Sequence, residues 1–219
     1  MRQPSIIILL ISFILSSVIL LPAFSAVKGR LEYSIPLDYS NLSEEDLNFR
    51  ARDFFNNAVS LNDNVIDTNT TNALMLYAVL QKINPECTEY YVRQGILYDK
   101  IGKDRHARGN FARAIQINHV NPKPYFYYAE FYYKRQSYCL ALKYYKDAYR
   151  LGYNSDYKTL YKMADVYDKF GDTRSALKYL KEAELLSSSS VISDKIKLIS
   201  QKDTINKEFY SDTRIRKEN

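Results

Sequence analysis

Two histidines, two cysteines and a scatter of carboxylates are the first side chains in this sequence to test for catalysis or metal binding. A zinc-type site needs its ligands in closely spaced sets. His106 and His119 have no cysteine pair and no Glu-x-x-His spacing around them, and no Ser or Cys stands where either could activate it. Asp165 and Asp168 are three apart, so on a helix they share a face. Paired carboxylates can do acid–base work, but no electrophile or ligand set accompanies these two. Cys87 and Cys139 are too few for a disulfide framework, and six glycines leave no room for a glycine-rich phosphate loop. The expectation is a protein without catalytic residues, metal or cofactor.

The chain that must position whatever function remains has 219 residues, 46% of them hydrophobic and 26% charged. That is globular composition, and the length suits one domain with a core that needs no disulfide or metal. The formal net charge is +6, with 31 basic residues scattered among 25 acidic ones. No block of like charge forms, which argues against nucleic acid as partner. Tyrosine is overused, with 21 copies and no tryptophan.

The first residues read as an address. Arg2 precedes an uncharged run over residues 3–27, almost purely Ile, Leu, Val, Phe and Ser at its centre. Pro22 breaks it just before Ala23-Phe24-Ser25-Ala26, so residues 1–25 form a signal peptide cleaved after Ser25 or Ala26. The competing reading is an uncleaved anchor, since the run is nearly long enough to span a bilayer. Either way the rest of the chain is expected to be exported, periplasmic or extracellular, with a membrane partner only if the segment stays.

A period governs the body. Gly95, Ala129 and Ala164 recur at intervals of 34 and 35, and so do Tyr98, Tyr132 and Tyr167. Ala107, Ala141 and Ala176 repeat it, as do Ala114, Ala148 and Ala183, with Phe111, Tyr145 and Leu180 between them. Within a unit, Gly95 and Tyr98 share one face of a first helix, and Ala107, Phe111 and Ala114 share one face of a second. Gly102-Lys103 and Gly171-Asp172 mark the turns. Small residues let the two helices approach, and a hairpin that cannot bury its apolar face alone must stack on the next. The predicted fold is all-α, a right-handed α-solenoid of helical hairpins.

These residues resemble the tetratricopeptide repeat (TPR) family, whose units run aromatic, Leu-Gly, Tyr, Ala, aromatic, Ala, Pro. Residues 171–183, GDTRSALKYLKEA, match its second half closely. Tyr91, Tyr125 and Leu160 replace the usual tryptophan, and His119 and Tyr153 stand where proline is common. The units are expected at residues 88–121, 122–156 and 157–186, with a degenerate one at 43–86. In that unit Phe54, Ala58 and Leu61 fit only if the turn, residues 62–71, is lengthened. Ser43 with Asp46 makes a helix start. Residues 26–42 read as extended. Residues 187–219 read as a capping helix, with Ile192, Ile196 and Ile199 on its inner face, and a frayed tail from Asp212.

The resemblance implies that first helices line a concave face used for protein binding. The positions free of packing there are Glu89, Val92, Ile96, Asp99 and Lys100; Lys123, Phe126, Glu130, Tyr133 and Lys134; and Lys158, Tyr161, Asp165, Asp168 and Lys169. Apolar side chains flanked by both charge signs suit a peptide or helix groove. The family's clamp for a C-terminal carboxylate uses Lys and Asn where this chain has Val92 and Ile96, Phe126 and Glu130, Tyr161 and Asp165, so that subtype is not expected. Most of the aromatic run 125–133 must be core, since Tyr125, Tyr128 and Tyr132 fall on packing positions, but the excess suggests that some rings are exposed. Cys87, at the end of a second helix, and Cys139, at the start of another, should lie about 20 Å apart, beyond disulfide reach. Cys139 should pack as a small apolar residue. Asn41-Leu42-Ser43 and Asn69-Thr70-Thr71 are glycosylation sequons. The chain thus reads as an exported scaffold, adaptor or assembly factor, monomeric, with a protein or peptide partner. A membrane-anchored subunit of an envelope complex is the alternative.

Overall fold

A computed structural model describes residues 41–60, 67–153 and 157–215, with side chains as far as Thr204. The signal or anchor segment, and nearly all of the segment 26–42, lie outside the described residues. The rest is helical: α1 (Glu44–Ser60), α2 (Thr68–Ile83), α3 (Thr88–Lys100), α4 (Asp104–Ile117), α5 (Pro122–Lys134), α6 (Tyr138–Arg150), α7 (Tyr157–Lys169), α8 (Thr173–Leu186) and α9 (Ser190–Ile215). None of these is long and apolar enough to cross a membrane.

The helices pack as hairpins, α1 on α2, α3 on α4, α5 on α6 and α7 on α8, each hairpin against the next, with α9 on α8. The buried residues of α4 are Ala107, Phe111 and Ala114; of α6, Ala141, Tyr145 and Ala148; of α8, Ala176, Leu180 and Ala183. One stripe of small–large–small side chains therefore fills the inside of all three. Each large member contributes roughly 2–3 kcal/mol by leaving water. In α2 the same stripe holds Ala73, Tyr77 and Leu80.

Three first helices end in one way. The backbone N–H of Lys103, Ser137 and Asp172 donates to the carbonyl of Tyr98, Tyr132 and Tyr167 at 2.8, 3.0 and 2.9 Å. This closure needs the preceding residue in the left-handed region. Gly102 (φ 70°) and Gly171 (φ 75°) supply it without a Cβ clash, whereas Gln136 adopts it (φ 58°) with a side chain present. Helix starts are capped by side chains: Asp67 accepts from the Thr70 N–H, Asn121 from Lys123 and Asp172 from Ser175. At α1, Ser43 Oγ accepts from the Asp46 N–H at 3.1 Å, and the Asp46 carboxylate accepts from the Ser43 N–H at 3.3 Å. That is the reciprocal box expected at Ser43.

Four expectations change. The turn of the first unit is shorter than 62–71, because α2 already starts at Thr68 under the Asp67 cap. Cys87 belongs to the next hairpin, as the residue before α3, and is half-buried against the first core cluster. Cys139 is exposed rather than packed, because the inner face of α6 is taken by Ala141, Tyr145 and Ala148. Both thiols are free. The capping helix reaches Ile215, beyond the residue at which fraying was expected, and Ile192 and Ile199 are buried with Ile196 packed beside them.

Candidate functional site

The candidate face is built from the first helices of successive units, α3, α5 and α7, and from α9, which takes the same place after α8. Its charges are joined across the units. Lys123 Nζ lies 2.7 Å from Glu89, Lys134 Nζ 3.1 Å from Asp99, and Lys162 Nζ 3.0 Å from Glu130. Lys195 Nζ sits 2.9 Å from Asp165 and 3.3 Å from Asp168, and Lys202 Nζ 3.2 Å from Asp168. Partners are 27 to 35 residues apart, roughly one repeat. The first-helix charges thus hold neighbouring hairpins in register as well as facing solvent.

Tyrosine hydroxyls reinforce the carboxylates. Tyr133 donates to Asp165, and Tyr145, from the inner face of α6, donates to Glu130. Burial alone would raise the Asp165 pKa, but the Tyr133 hydroxyl and the Lys195 ammonium outweigh it and hold the carboxyl below its ordinary value. Glu89 follows the same logic, with burial opposed and overcome by Lys123 and Arg93. Arg135, at the end of α5, reaches Asp99 at 2.6 Å, pairs with Asp104, and lies over the Phe131 ring at 3.7 Å.

Beside this ladder opens a cleft of about 390 Å³ walled by Phe126 and Glu130 of α5, Tyr157, Lys158, Tyr161 and Lys162 of α7, and Ser189, Val191 and Ile192 at the start of α9. Val191 is exposed at its edge. Among the described residues no three of His, Cys, Asp and Glu converge as metal ligands.

Of the residues expected on this face, Phe126, Glu130, Lys158 and Tyr161 come together around the cleft. Glu89, Asp99, Lys123, Tyr133, Lys134, Asp165 and Asp168 form the ladder, and Lys169 is exposed. Three expectations are corrected. Val92 is 1% exposed and Lys100 5%, so both belong to the interior. Lys100 Nζ lies 3.8 Å from the Asp67 carboxylate, tying the end of α3 to the cap of α2. Ile96 is half-buried against the Ala107–Phe111 cluster. Phe126 is buried in the core as well, with its ring 5.8 Å from Tyr145 and 5.1 Å from Tyr153, and only its edge borders the cleft.

The aromatic run is also corrected, since none of Tyr125, Phe126, Tyr127, Tyr128, Phe131, Tyr132 or Tyr133 is exposed. Tyr132 stacks parallel on Tyr144 at 5.6 Å, Tyr128 lies 4.5 Å from Tyr144, and Phe111 stacks on Tyr128 at 5.6 Å. The rings fill the joints between hairpins and offer no stacking platform. Tyr157, Lys162, Ser189, Val191 and Ile192 were missed. An opposite charge about one repeat after Glu130 would have pointed to Lys162, and the apolar face of the capping helix to Ile192.

No protein-family model and no curated protein matches the sequence. The structure, however, resembles solved ones. A crystal structure of the MamA protein superposes with a TM-score of 0.58 at 15% identity, covering 75% of this chain and 86% of that one. MamA from Desulfovibrio magneticus RS-1, from residue 41 to its end, gives 0.58 at 14% identity, covering 81% and 99%. A further MamA crystal structure gives 0.56 at 16%, covering 66% and 89%. Likeness at this identity concerns the fold, and together with the four hairpins and α9 it makes the described residues an all-α solenoid of TPR-like units.

Proposed function

We propose that this chain is a binding scaffold rather than an enzyme, and that it holds another protein or peptide segment on its first-helix face. The observation that carries the reading is the cleft between α5, α7 and α9. It is apolar within, and it lies among charges already engaged with one another, so burying a partner's apolar side chain there strands no charge. The sequence adds the setting. Residues 1–25 direct export, and the scaffold works as an adaptor or assembly factor outside the cytoplasm. Retention of the uncharged run 3–27 as an anchor would make it a membrane-held subunit of an envelope complex.

The test is recovery of partners from the native host by the tagged full chain, beside a variant carrying Tyr161→Ala and Val191→Ser. Neither side chain is fully buried, so the variant is expected to keep wild-type helicity. A protein held by the wild type and lost by the variant supports the cleft. Equal recovery by both moves the interface elsewhere and sinks this reading.

A further inference from the structure

We infer that the partner segment is acidic, an extended or helical peptide carrying Asp or Glu beside the large apolar side chain that enters the cleft. This rests on the binding reading above and adds the chemistry of the ligand. The two signs of charge on the first-helix face do not lie at the same depth. Lys134 is 49% exposed over an Asp99 that is 9% exposed, and Lys202 is 55% exposed over an Asp168 at 17%. Lys123 over Glu89, Lys162 over Glu130 and Lys195 over Asp165 keep the same order with smaller margins. The exceptions are Arg93, 16% exposed beside Glu89 at 31% within α3, and Lys100 and Arg135, whose carboxylate partners Asp67 and Asp104 lie at the cap of α2 and on α4.

The floor acids are held down by several donors at once. Asp99 accepts from Lys134 and Arg135, Asp168 from Lys195 and Lys202, and Asp165 from Tyr133 and Lys195. Two of the roughly four acceptor sites of each carboxylate are thus already taken. A lysine ammonium has three donors, and Lys134 and Lys202 each spend one on the floor. The face is near neutral by count, yet the groups that meet an arriving partner first are ammonium donors. A partner carboxylate completes those lysines, whereas a partner cation is kept from the acids by a layer of like charge. The apolar walls of the cleft favour a peptide over a nucleic acid, since among the described residues of α3, α5, α7 and α9 no ring is exposed to stack a base.

The experiment pans a displayed library of short random peptides on the full chain and on a variant carrying Lys123→Gln, Lys134→Gln and Lys202→Gln. Each floor acid in that variant keeps a second cation (Arg93, Arg135 or Lys195), so folding is expected to survive and is checked by helicity. The expected result is enrichment of peptides with Asp or Glu flanking an aromatic or branched aliphatic residue. The best of them, made synthetically, should bind roughly tenfold more weakly to the variant, and more weakly to the wild type as salt rises. Selection of neutral or basic peptides overturns the acidic inference and leaves the binding reading standing. Acidic peptides that bind the folded variant as well as the wild type overturn it too. Displacement of the peptide by a random single-stranded oligonucleotide at equal concentration overturns the choice of ligand class. Retention of no peptide by either protein overturns both this inference and the reading beneath it.

Discussion

The second helices and the first helices of this solenoid obey different rules. In α4, α6 and α8 the buried set is the same three positions, small–large–small, and little else is taken from water. In α3, α5 and α7 the buried sets are longer and mixed, including Gln94 and Thr159 beside Tyr90, Tyr128 and Met163. In these three units the second helix is a shared spine, whereas α2 of the first unit buries the longer set Thr70, Ala73, Leu76, Tyr77 and Leu80. The first helix packs on its own hairpin and on the next, and still keeps a polar face. That division means the first helix can vary in its outward chemistry while the repeat persists, which makes it the half on which recognition can be built.

The sharpest way to break this contrast is to truncate one ring on each half. Phe111 is buried between α3 and α5, in contact with Tyr128 and Phe131. Phe111→Ala should cost about 4 kcal/mol, from lost burial and the cavity left behind. Tyr161→Ala, on the first-helix face, should cost about 1 kcal/mol. Urea unfolding followed by helicity measures both. Equal losses would mean that the two halves share the load and that the spine is not distinct.

A smaller effect tests how closely the halves meet. A Cβ added at Gly95 would lie 2.8 Å from Phe111 Cε1, and that ring has no room to retreat because Tyr128 and Phe131 flank it. The same repeat position carries alanine in the next two units, where Ala129 and Ala164 are buried without difficulty. Gly95→Ala is therefore expected to destabilise by about 2 kcal/mol despite the better helix propensity of alanine. Pairing it with Phe111→Leu should recover part of that loss, so that the double variant is less unstable than the sum of the two. Additivity in the unfolding data would show that the contact is looser than the geometry states.

The spine was legible in the sequence because side-chain volume itself is periodic there: Ala107, Phe111 and Ala114 recur as a size pattern that only a hairpin interior explains. The turns were legible at Gly102 and Gly171 but not at Gln136, which takes the same left-handed conformation without glycine to announce it. The start of α2 was misread because Asp and Thr serve caps and loops alike, and only the Asp67-to-Thr70 bond distinguishes them. The first-helix face was read less well. Val92 and Lys100 occupy positions free in the resembling family, yet here they turn inward, because a helix that packs on four neighbours buries more of its circumference. The ring cluster from Tyr125 to Tyr133 looked like surplus because the joint it fills does not exist until the hairpins stack. Charge pairs such as Glu130 with Lys162 were hidden for the same reason: the spacing is in the chain, but which charges meet depends on the stacking register.

The smallest effect expected lies within the first-helix half, where successive first helices are joined electrostatically. Tyr133 donates to Asp165, and with Lys195 it holds that carboxyl below its ordinary value of 3.8. A carboxyl whose pKa is lower folded than unfolded contributes stability that is fully present above the unfolded value, and loses it as pH falls through the folded one. Tyr133→Phe removes one of the donors that stabilise the charged form. At neutral pH the variant should therefore be less stable by about 1 kcal/mol. As pH drops below about 4 the wild type loses its advantage while the variant, with a smaller depression, loses less, so the two unfolding midpoints should converge. A gap that stays constant from neutral pH down to pH about 2 would mean that the hydroxyl supports the ring packing of Tyr133 against Tyr138 rather than the Asp165 charge.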